Sequence, residues 1–564
     1  MVYTNGARGT RQRLCVPATP GAGQSARARL RARAPGLLLG ALLVAACARP
    51  ADSPSAVTAD VLLLGGHVLD GAGNPWLARD IAITGDRITF VGNAAVDPVA
   101  ARDTVNVAGL LVTPGFWDAH SHAELETPEG KTALPFLYQG ITTVVLGIDG
   151  DGADSVAAIF AAYRSSGIAV NALHYVGHNA ARRAVMGMAD RAPTPDELER
   201  MKAYVERGMR EGAVGLSTGL FYTPGSYAKT DEVIELNRVA ARFGGIYDTH
   251  DRDLGASWPG IGFLESMKEA IEIGERAGTP VIFSHLNPQG AHNYGRAPEA
   301  ARLIEEARAR GVNVMAAQHP YTATQSNLAA YALPRWAAGG GRDSMRARFA
   351  DAEVRRRLDA ETTEMLAIRG GAEKIMIVAE DSTLNGRTLA RVAAEWGLPV
   401  PETVRRILAE QNPPVMNHDL YDMVNTRYLA TREWMMTCTD GRTPHEGQDI
   451  VHPRVYGAFS RKLRLFALDD SLISLPFAVR GMTSLPASFF AIPERGELRP
   501  GWFADIAVFD LARLRDAATY EEPHHYSAGT VHVLVNGVFA IRDGQPTGSL
   551  TGQPIPRPGS RRTS

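Results

Sequence analysis

Between residues 113 and 475 the chain alternates strand-like and helix-like stretches, and the strand-like ones close on polar side chains that can bind ligands. Eight strands are predicted, at 110–122, 141–149, 170–178, 213–218, 245–250, 280–285, 312–319 and 433–440. They end on His122, Asp149, His178, Thr218, His250, His285, His319 and Asp440. The intervening stretches read as helices. Residues 231–243 are followed by the stop Gly244-Gly245, and 298–310 begins on Pro298, where a missing N–H costs nothing. Alternation of this kind builds βα units around a parallel sheet. In a (β/α)8 barrel the C-terminal strand ends form the active site. A His, Asp or Thr at all eight ends is hard to explain by packing.

The strongest local motif lies at the first of these ends, Thr113-Pro114-Gly115-Phe116-Trp117-Asp118-Ala119-His120-Ser121-His122. Residues two apart on an extended chain share a face, so His120 and His122 can grip one divalent ion. With Asp149, His250, His285 and Asp440 they form a set of four imidazoles and two carboxylates, suited to Zn²⁺ or a similar divalent metal, as one ion or two. A catalytic ion of this kind needs a carboxylate to take a proton from water and pass it to a leaving amine. Asp440, before Gly441, is the candidate base.

The ends of the chain differ from this middle. Residues 58–112 and 476–545 carry short β patterns broken by Gly and Asp, which predicts one small β-sandwich assembled from both termini. A (β/α)8 barrel occupies 113–475. It is interrupted at 322–430 by an insertion of helical character that could be a lid or part of the substrate wall. The tail 546–564, rich in Pro, Gly, Ser and Arg, is expected to be disordered.

At the front, residues 7–33 are Arg-rich without an acid, 35–46 are apolar, and Cys47 follows. This describes a secretory signal, and Val44-Ala45-Ala46-Cys47 resembles a bacterial lipobox. The expectation is a signal peptide at 1–47, acylation of Cys47, a linker at 48–57, and an exported periplasmic or cell-envelope lipoprotein that meets the membrane only through its lipid. Of the 3 cysteines only Cys438 would then remain free, so no disulfide can form within the mature chain. A formal net charge of -2 gives no reason to expect a nucleic-acid partner.

From about residue 60 to 545 the chain resembles the amidohydrolase superfamily, and within it the D-aminoacylase (N-acyl-D-amino-acid deacylase) family. The resemblance rests on the first-strand motif and on Gly212-Ala-Val-Gly-Leu-Ser-Thr-Gly-Leu-Phe-Tyr-Thr-Pro-Gly225. It also rests on Thr249-His250-Asp251-Arg252-Asp253, Ser284-His285, Gly177-His178, Pro320-Tyr321, Asp440-Gly441, His452-Pro-Arg-Val-Tyr-Gly457 and the run from Arg495 to Phe509. It implies a distorted (β/α)8 barrel with a flanking β-sandwich, one or two zinc ions, and cleavage of an amide bond in a small N-acyl amino acid or peptide-like substrate.

It also implies roles for further residues. Arg454 would dock a carboxylate through its planar fork. His178 would orient or polarise the substrate carbonyl. Tyr222, Tyr321 and Arg252 would be substrate contacts, each with a purely structural reading beside it. Two positions depart from the family pattern. Asp149 stands where a zinc-binding Cys is usual, and Asn287 stands where a Lys often helps to hold the substrate carboxylate. The second departure keeps a dipeptidase-like or cyclic-amide (hydantoinase-like) hydrolase open as an alternative. A non-catalytic binding lipoprotein is a further one.

Overall fold

The computed structural model describes residues 57–379, 383–445 and 450–559. The signal segment, Cys47 and all but the last residue of the 48–57 linker lie outside the described residues.

Eight short parallel strands run in sequence order around the centre. Phe116–Asp118 pairs with Ile141–Leu146, which pairs with Asn171–His174. The third strand is interrupted at Tyr175 and resumes as Val176–Gly177, at the edge of a six-stranded sheet. That sheet continues through Gly215–Gly219, Ile246–His250, Val281–Phe283, Val314–Gln318 and Met435–Thr437. Backbone hydrogen bonds from Ala119 to Thr437 O (3.4 Å) and from Asp440 to His120 O (3.0 Å) join the eighth strand to the first. The break in the third strand and this looser seam make the (β/α)8 barrel irregular. Its interior is packed, not hollow: Trp117, Val145, Leu173, Val214, Ile246, Ile282, Ala317, Met436 and Cys438 form one buried cluster.

The predicted first strand is two strands. Leu111–Pro114 belongs to the β domain and Phe116–Asp118 to the barrel, with Gly115 between them. A Cβ on Gly115 would lie 2.1 Å from Thr142 Oγ1, so only glycine lets the chain cross so close to the second strand.

The β domain is one nine-stranded sheet drawn from both ends of the chain. Its seam is the antiparallel pairing of Leu111–Pro114 with Ile506–Phe509. Val61, Leu63, Ile81, Ile83 and Val112 from the first half share a core with Ile506, Val508, Leu534 and Phe539 from the second. The sandwich is therefore a single sheet curled over its own apolar face.

Two regions depart from expectation. Residues 476–489, read as part of the β domain, lie in the helices Leu475–Met482 and Ser484–Phe489. Ser474 caps the first by accepting from Phe477 N, and Leu485, Ala487, Phe489, Phe490 and Ile492 pack into the barrel core cluster. The tail, expected to be disordered, is bonded to the barrel as far as Arg557. Ala172 N donates to Gln553 O (3.0 Å), Ile555 N to Ala172 O (2.8 Å), and Arg557 N to Gly212 O (3.0 Å). Backbone groups beside the third strand pair with it, an interaction to which side-chain composition is blind.

The insertion is also more than helical. Thr324–Asn327, Pro414–Asn417 and Ile375–Ile377 form a three-stranded antiparallel sheet. Leu328, Leu333, Leu358, Leu389, Ile407 and Val415 give it a core of its own. It stands beside the C-terminal strand ends and forms part of the wall there.

Candidate active site

Five of the six predicted metal ligands have side chains that converge at measured distances, and Asp440 is their hub. Its carboxylate lies 3.6 Å from His120 Nε2, 3.2 Å from His122 Nε2 and 3.4 Å from His285 Nε2. Asp149 faces the same two imidazoles, at 3.6 Å from His120 Nε2 and 3.6 Å from His122 Nε2. The sixth, His250, stacks edge-on to His285 with ring centroids 5.1 Å apart. Asp149 and Asp440 both take left-handed backbone, at φ 59° and φ 49°. That conformation is uncommon for aspartate and turns both carboxylates inward from strand ends that would otherwise run past the site.

Two of the imidazoles are anchored through Nδ1. His250 Nδ1–H donates to Asp251 O at 3.1 Å, which leaves Nε2 as a lone-pair donor. His285 Nδ1 lies 3.2 Å from the Tyr421 hydroxyl, which fixes the orientation of the ring. Burial pushes the His285 imidazole down to about 4 and lowers those of His120, His122 and His250, so all four are neutral at pH 7.

The carboxylates diverge. Burial, then the Asp440 charge, raises the Asp149 carboxyl well above the usual range. Burial would raise Asp440 too, but the Arg454 guanidinium and the imidazoles hold it well below that range. Arg454 Nη1 donates directly to Asp440 Oδ2 and lies 3.2 Å from His319 Nε2.

This donor set fits a divalent metal. Both ring nitrogens of His120 and Oδ1 of Asp149 are buried without a hydrogen-bond partner, and buried polar atoms left so are costly. They converge from separate strands, and His120, His122 and Asp440 alone offer ligand atoms within 4.8 Å of one another. Neutral imidazoles with carboxylates are ordinary ligands for zinc and related ions.

The remaining predicted residues divide. Tyr222 lines a cleft of about 290 Å³ over the cluster, together with His122, Asp149, Asp440 and Arg454. Its ring packs edge-on to His250 at 4.8 Å. Asn287 is buried and donates to Thr426 Oγ1 at 2.8 Å, which ties the sixth strand end to the helix Met423–Ala430.

Three of the predicted residues are engaged by other groups of the chain. His178 starts the helix His178–Met186, so its side chain turns to Glu232 (3.0 Å) and away from the cluster; Arg182 also grips that carboxylate. Arg252 spends its fork on Glu269, with two bonds of 2.8 Å, and on the carbonyls of Ser226 and Ala228. Tyr321 points its hydroxyl at Asp516 (3.5 Å) and packs on Gly457. Arg252 and Tyr321 are held by these contacts, whereas His178 keeps a buried Nδ1 without a hydrogen-bond partner.

Two residues carry more than the sequence suggested. His319, expected only as the end of the seventh strand, lies 3.2 Å from Arg454 Nη1 and within 4.0 Å of Asp440. Its strand-end position was the available signal. Tyr421, which orients His285, comes from the insertion, 136 residues away in sequence, and no periodicity marks it.

Comparison with known proteins agrees with this geometry. The amidohydrolase family model matches residues 103–541. The chain is 33% identical over 521 residues to the D-aminoacylase of Alcaligenes xylosoxydans xylosoxydans, across 88% of this chain and 98% of that protein. A crystal structure of D-aminoacylase superposes with a TM-score of 0.75 at 31% identity, over 88% of this chain and 100% of the other. N-acyl-D-glutamate deacylase from Bordetella bronchiseptica, solved with zinc and a phosphonate mimic of the tetrahedral intermediate, gives 0.74 at 28% identity, over 88% and 100%. With the barrel, the curled β domain and the histidine–aspartate cluster in place, the chain belongs to the amidohydrolase family, in its D-aminoacylase group.

Proposed function

We propose that the protein is a zinc-dependent hydrolase that cleaves the amide bond of N-acyl amino acids of D configuration. The observation that carries this reading is the convergence of His120, His122, Asp149 and His285 on Asp440, with Arg454 bound to the same carboxylate. A divalent ion in this cluster supplies Lewis acidity for the scissile carbonyl and acidifies a water molecule.

The chain's own groups do the rest. Asp440, kept ionised by Arg454, accepts the water's proton and returns it to the departing amine nitrogen. Arg454 holds the substrate carboxylate through its fork. When that carboxylate takes a share of the guanidinium, Asp440 loses part of its counter-charge and becomes a stronger base. Tyr222 closes one side of the cleft, and its hydroxyl, which accepts from Ser326 Oγ at 3.3 Å, faces the insertion. Export and acylation at Cys47 are part of the same proposal. They rest on the basic, apolar and small-residue order of residues 7–47, and a Cys47→Ser chain recovered in the soluble fraction would support them.

The test is a panel of N-acetyl-D-amino acids, their L enantiomers, dipeptides and hydantoin rings, run on protein of measured metal content. Turnover of the D-acyl series, abolished by chelation and restored by zinc, is the expected result. Turnover of rings alone would sink the proposal.

A further inference from the structure

The segment that closes the insertion, residues 420–426, is clamped to the loop that follows the sixth barrel strand. Gly290 N donates to Leu420 O at 2.9 Å. Asn425 bridges the same two segments twice: its Oδ1 accepts from Ala297 N and its Nδ2 donates to Asn293 O, each at 2.9 Å. Asn287 adds its bond to Thr426 Oγ1. The loop gripped in this way is the one that His285 begins. Tyr421 N donates to Thr322 O at 2.9 Å, so the closing segment is also tied to the start of the insertion.

Tyr421 carries the clamp to the cluster. It is buried, and its hydroxyl lies 3.2 Å from His285 Nδ1, while the opposite ring nitrogen, Nε2, faces Asp440 at 3.4 Å. Gln289 Nε2 donates to the same hydroxyl oxygen at 3.5 Å. A neutral imidazole has one proton for two nitrogens. Coordination through Nε2 therefore leaves that proton on Nδ1, where the Tyr421 oxygen stands ready to accept it. Metal-bound histidines depend on such a partner for ring orientation and basicity. His250 finds its partner locally, in Asp251 O at 3.1 Å. His285 takes its own from 136 residues along the chain.

We propose that Tyr421 is a positioning residue for the metal: its hydroxyl oxygen holds the Nδ1–H of His285, so the insertion that walls the cleft also sets how tightly the ion is kept. This rests on the proposed function, since it takes the histidine–aspartate cluster as a metal site. By linkage the effect runs both ways. An ion on Nε2 fixes the His285 ring and with it Tyr421 and the clamp, and loss of the hydroxyl loosens the ion.

The experiment measures zinc affinity, by competition with a chromophoric chelator, in wild type, Tyr421→Phe and Thr426→Val. Tyr421→Phe deletes only the hydroxyl and should weaken zinc binding by about 10- to 100-fold. Its activity should be lost at a chelator concentration that wild type withstands and should return in excess zinc, as a defect of affinity requires. Thr426→Val breaks a bond of the clamp but leaves the hydroxyl on His285. It is the control for a general loss of stability. Its zinc affinity should fall less than that of Tyr421→Phe, even where its melting temperature falls as far.

Equal zinc affinity in wild type and Tyr421→Phe overturns the inference and leaves the proposed function standing, and so does a loss that Thr426→Val matches. If wild type binds zinc but hydrolyses no N-acyl amino acid, the proposed function fails and the affinity comparison still decides the role of Tyr421. If wild type binds no divalent ion, both fall. Should Tyr421→Phe not fold, hydrogen exchange of residues 420–426 in wild type decides: exchange slowed by zinc supports the coupling, and exchange unchanged by zinc overturns it.

Discussion

Asp440 and Arg369 are buried to the same degree, at 2% exposure each, on either side of Phe221, yet their surroundings are opposite. Asp440 has four imidazole nitrogens within 4.0 Å and a guanidinium in direct contact. Arg369 has two aromatic rings and, among the described residues, no counter-ion. Asp440 stands on a barrel strand end, where eight strands bring distant residues to one point. Arg369 stands on the insertion, whose core is its own. The barrel thus assembles a complete, charge-balanced reaction centre, while the insertion presents a deficit that a ligand would fill.

The largest test of this contrast is Asp440→Asn. It removes the proposed base and strips Arg454 of its counter-charge. We expect kcat to fall by about 10³-fold or more. The metal-free protein should also lose about 3 kcal/mol of stability, because breaking a buried pair strands the remaining charge. Denaturant unfolding of the metal-free protein measures the second effect. Arg369→Met, by contrast, removes a charge that has no partner, and its melting temperature should equal or exceed that of wild type. If the two variants were destabilised alike, the distinction between balanced and unbalanced charge would be broken.

Lys462 sharpens the comparison, as another buried cation outside the cluster. Its Nζ donates to Thr437 Oγ1 at 2.9 Å, and burial lowers its pKa from 10.5 to about 8. At about 1.4 kcal/mol per unit, charged Lys462 costs about 3 kcal/mol at pH 7. The folded pKa lies below the unfolded one, so the unfolded chain binds more protons between about pH 8 and 10.5, and wild type gains stability as pH rises through that window. Lys462→Met should be about 2 kcal/mol more stable than wild type at pH 7, after loss of the Thr437 bond. The advantage should fade toward pH 10.5. Unfolding curves at pH 7 and pH 10 would show it, and a constant difference would refute the assignment.

The smallest effect expected concerns the docked tail. Removing residues 550–564 takes away the backbone bonds of Gly552, Gln553, Ile555 and Arg557 to the barrel. A loss of about 1–2 kcal/mol is expected, with kcat/KM unchanged, since these bonds lie beside the third strand and contribute nothing to the cleft. Melting and activity measured together would check it.

Much of the reaction centre was legible in the residues themselves. His120 and His122 were marked by their spacing, and Asp149, His250, His285 and Asp440 by their positions at strand ends. A barrel turns that regular placement into proximity. The Gly212–Gly225 motif is legible for a different reason. A Cβ on Gly215 would lie 1.9 Å from Ile246 O, so close strand contact demands glycine there. For His178, Tyr321 and Arg252 both a substrate role and a structural one stayed open, because motif membership says a residue is needed without saying which way it points. Helix initiation at His178 and an available acid at Glu269 settled two of those orientations.

By itself the sequence determined the alternating architecture, the assembly of the β domain from both ends and the strand-end candidates that cluster around Asp440, because each depends on periodicity or on residue type at a strand end. Only the tertiary structure decided the tail's docking, the pairing of Arg454 with Asp440, the placing of Tyr421 behind His285 and the isolation of Arg369. Each of these depends on which groups meet across more than ten residues of chain. Local patterns encode direction and burial. The partner of a buried charge is set by packing between elements, and no single stretch of sequence contains it.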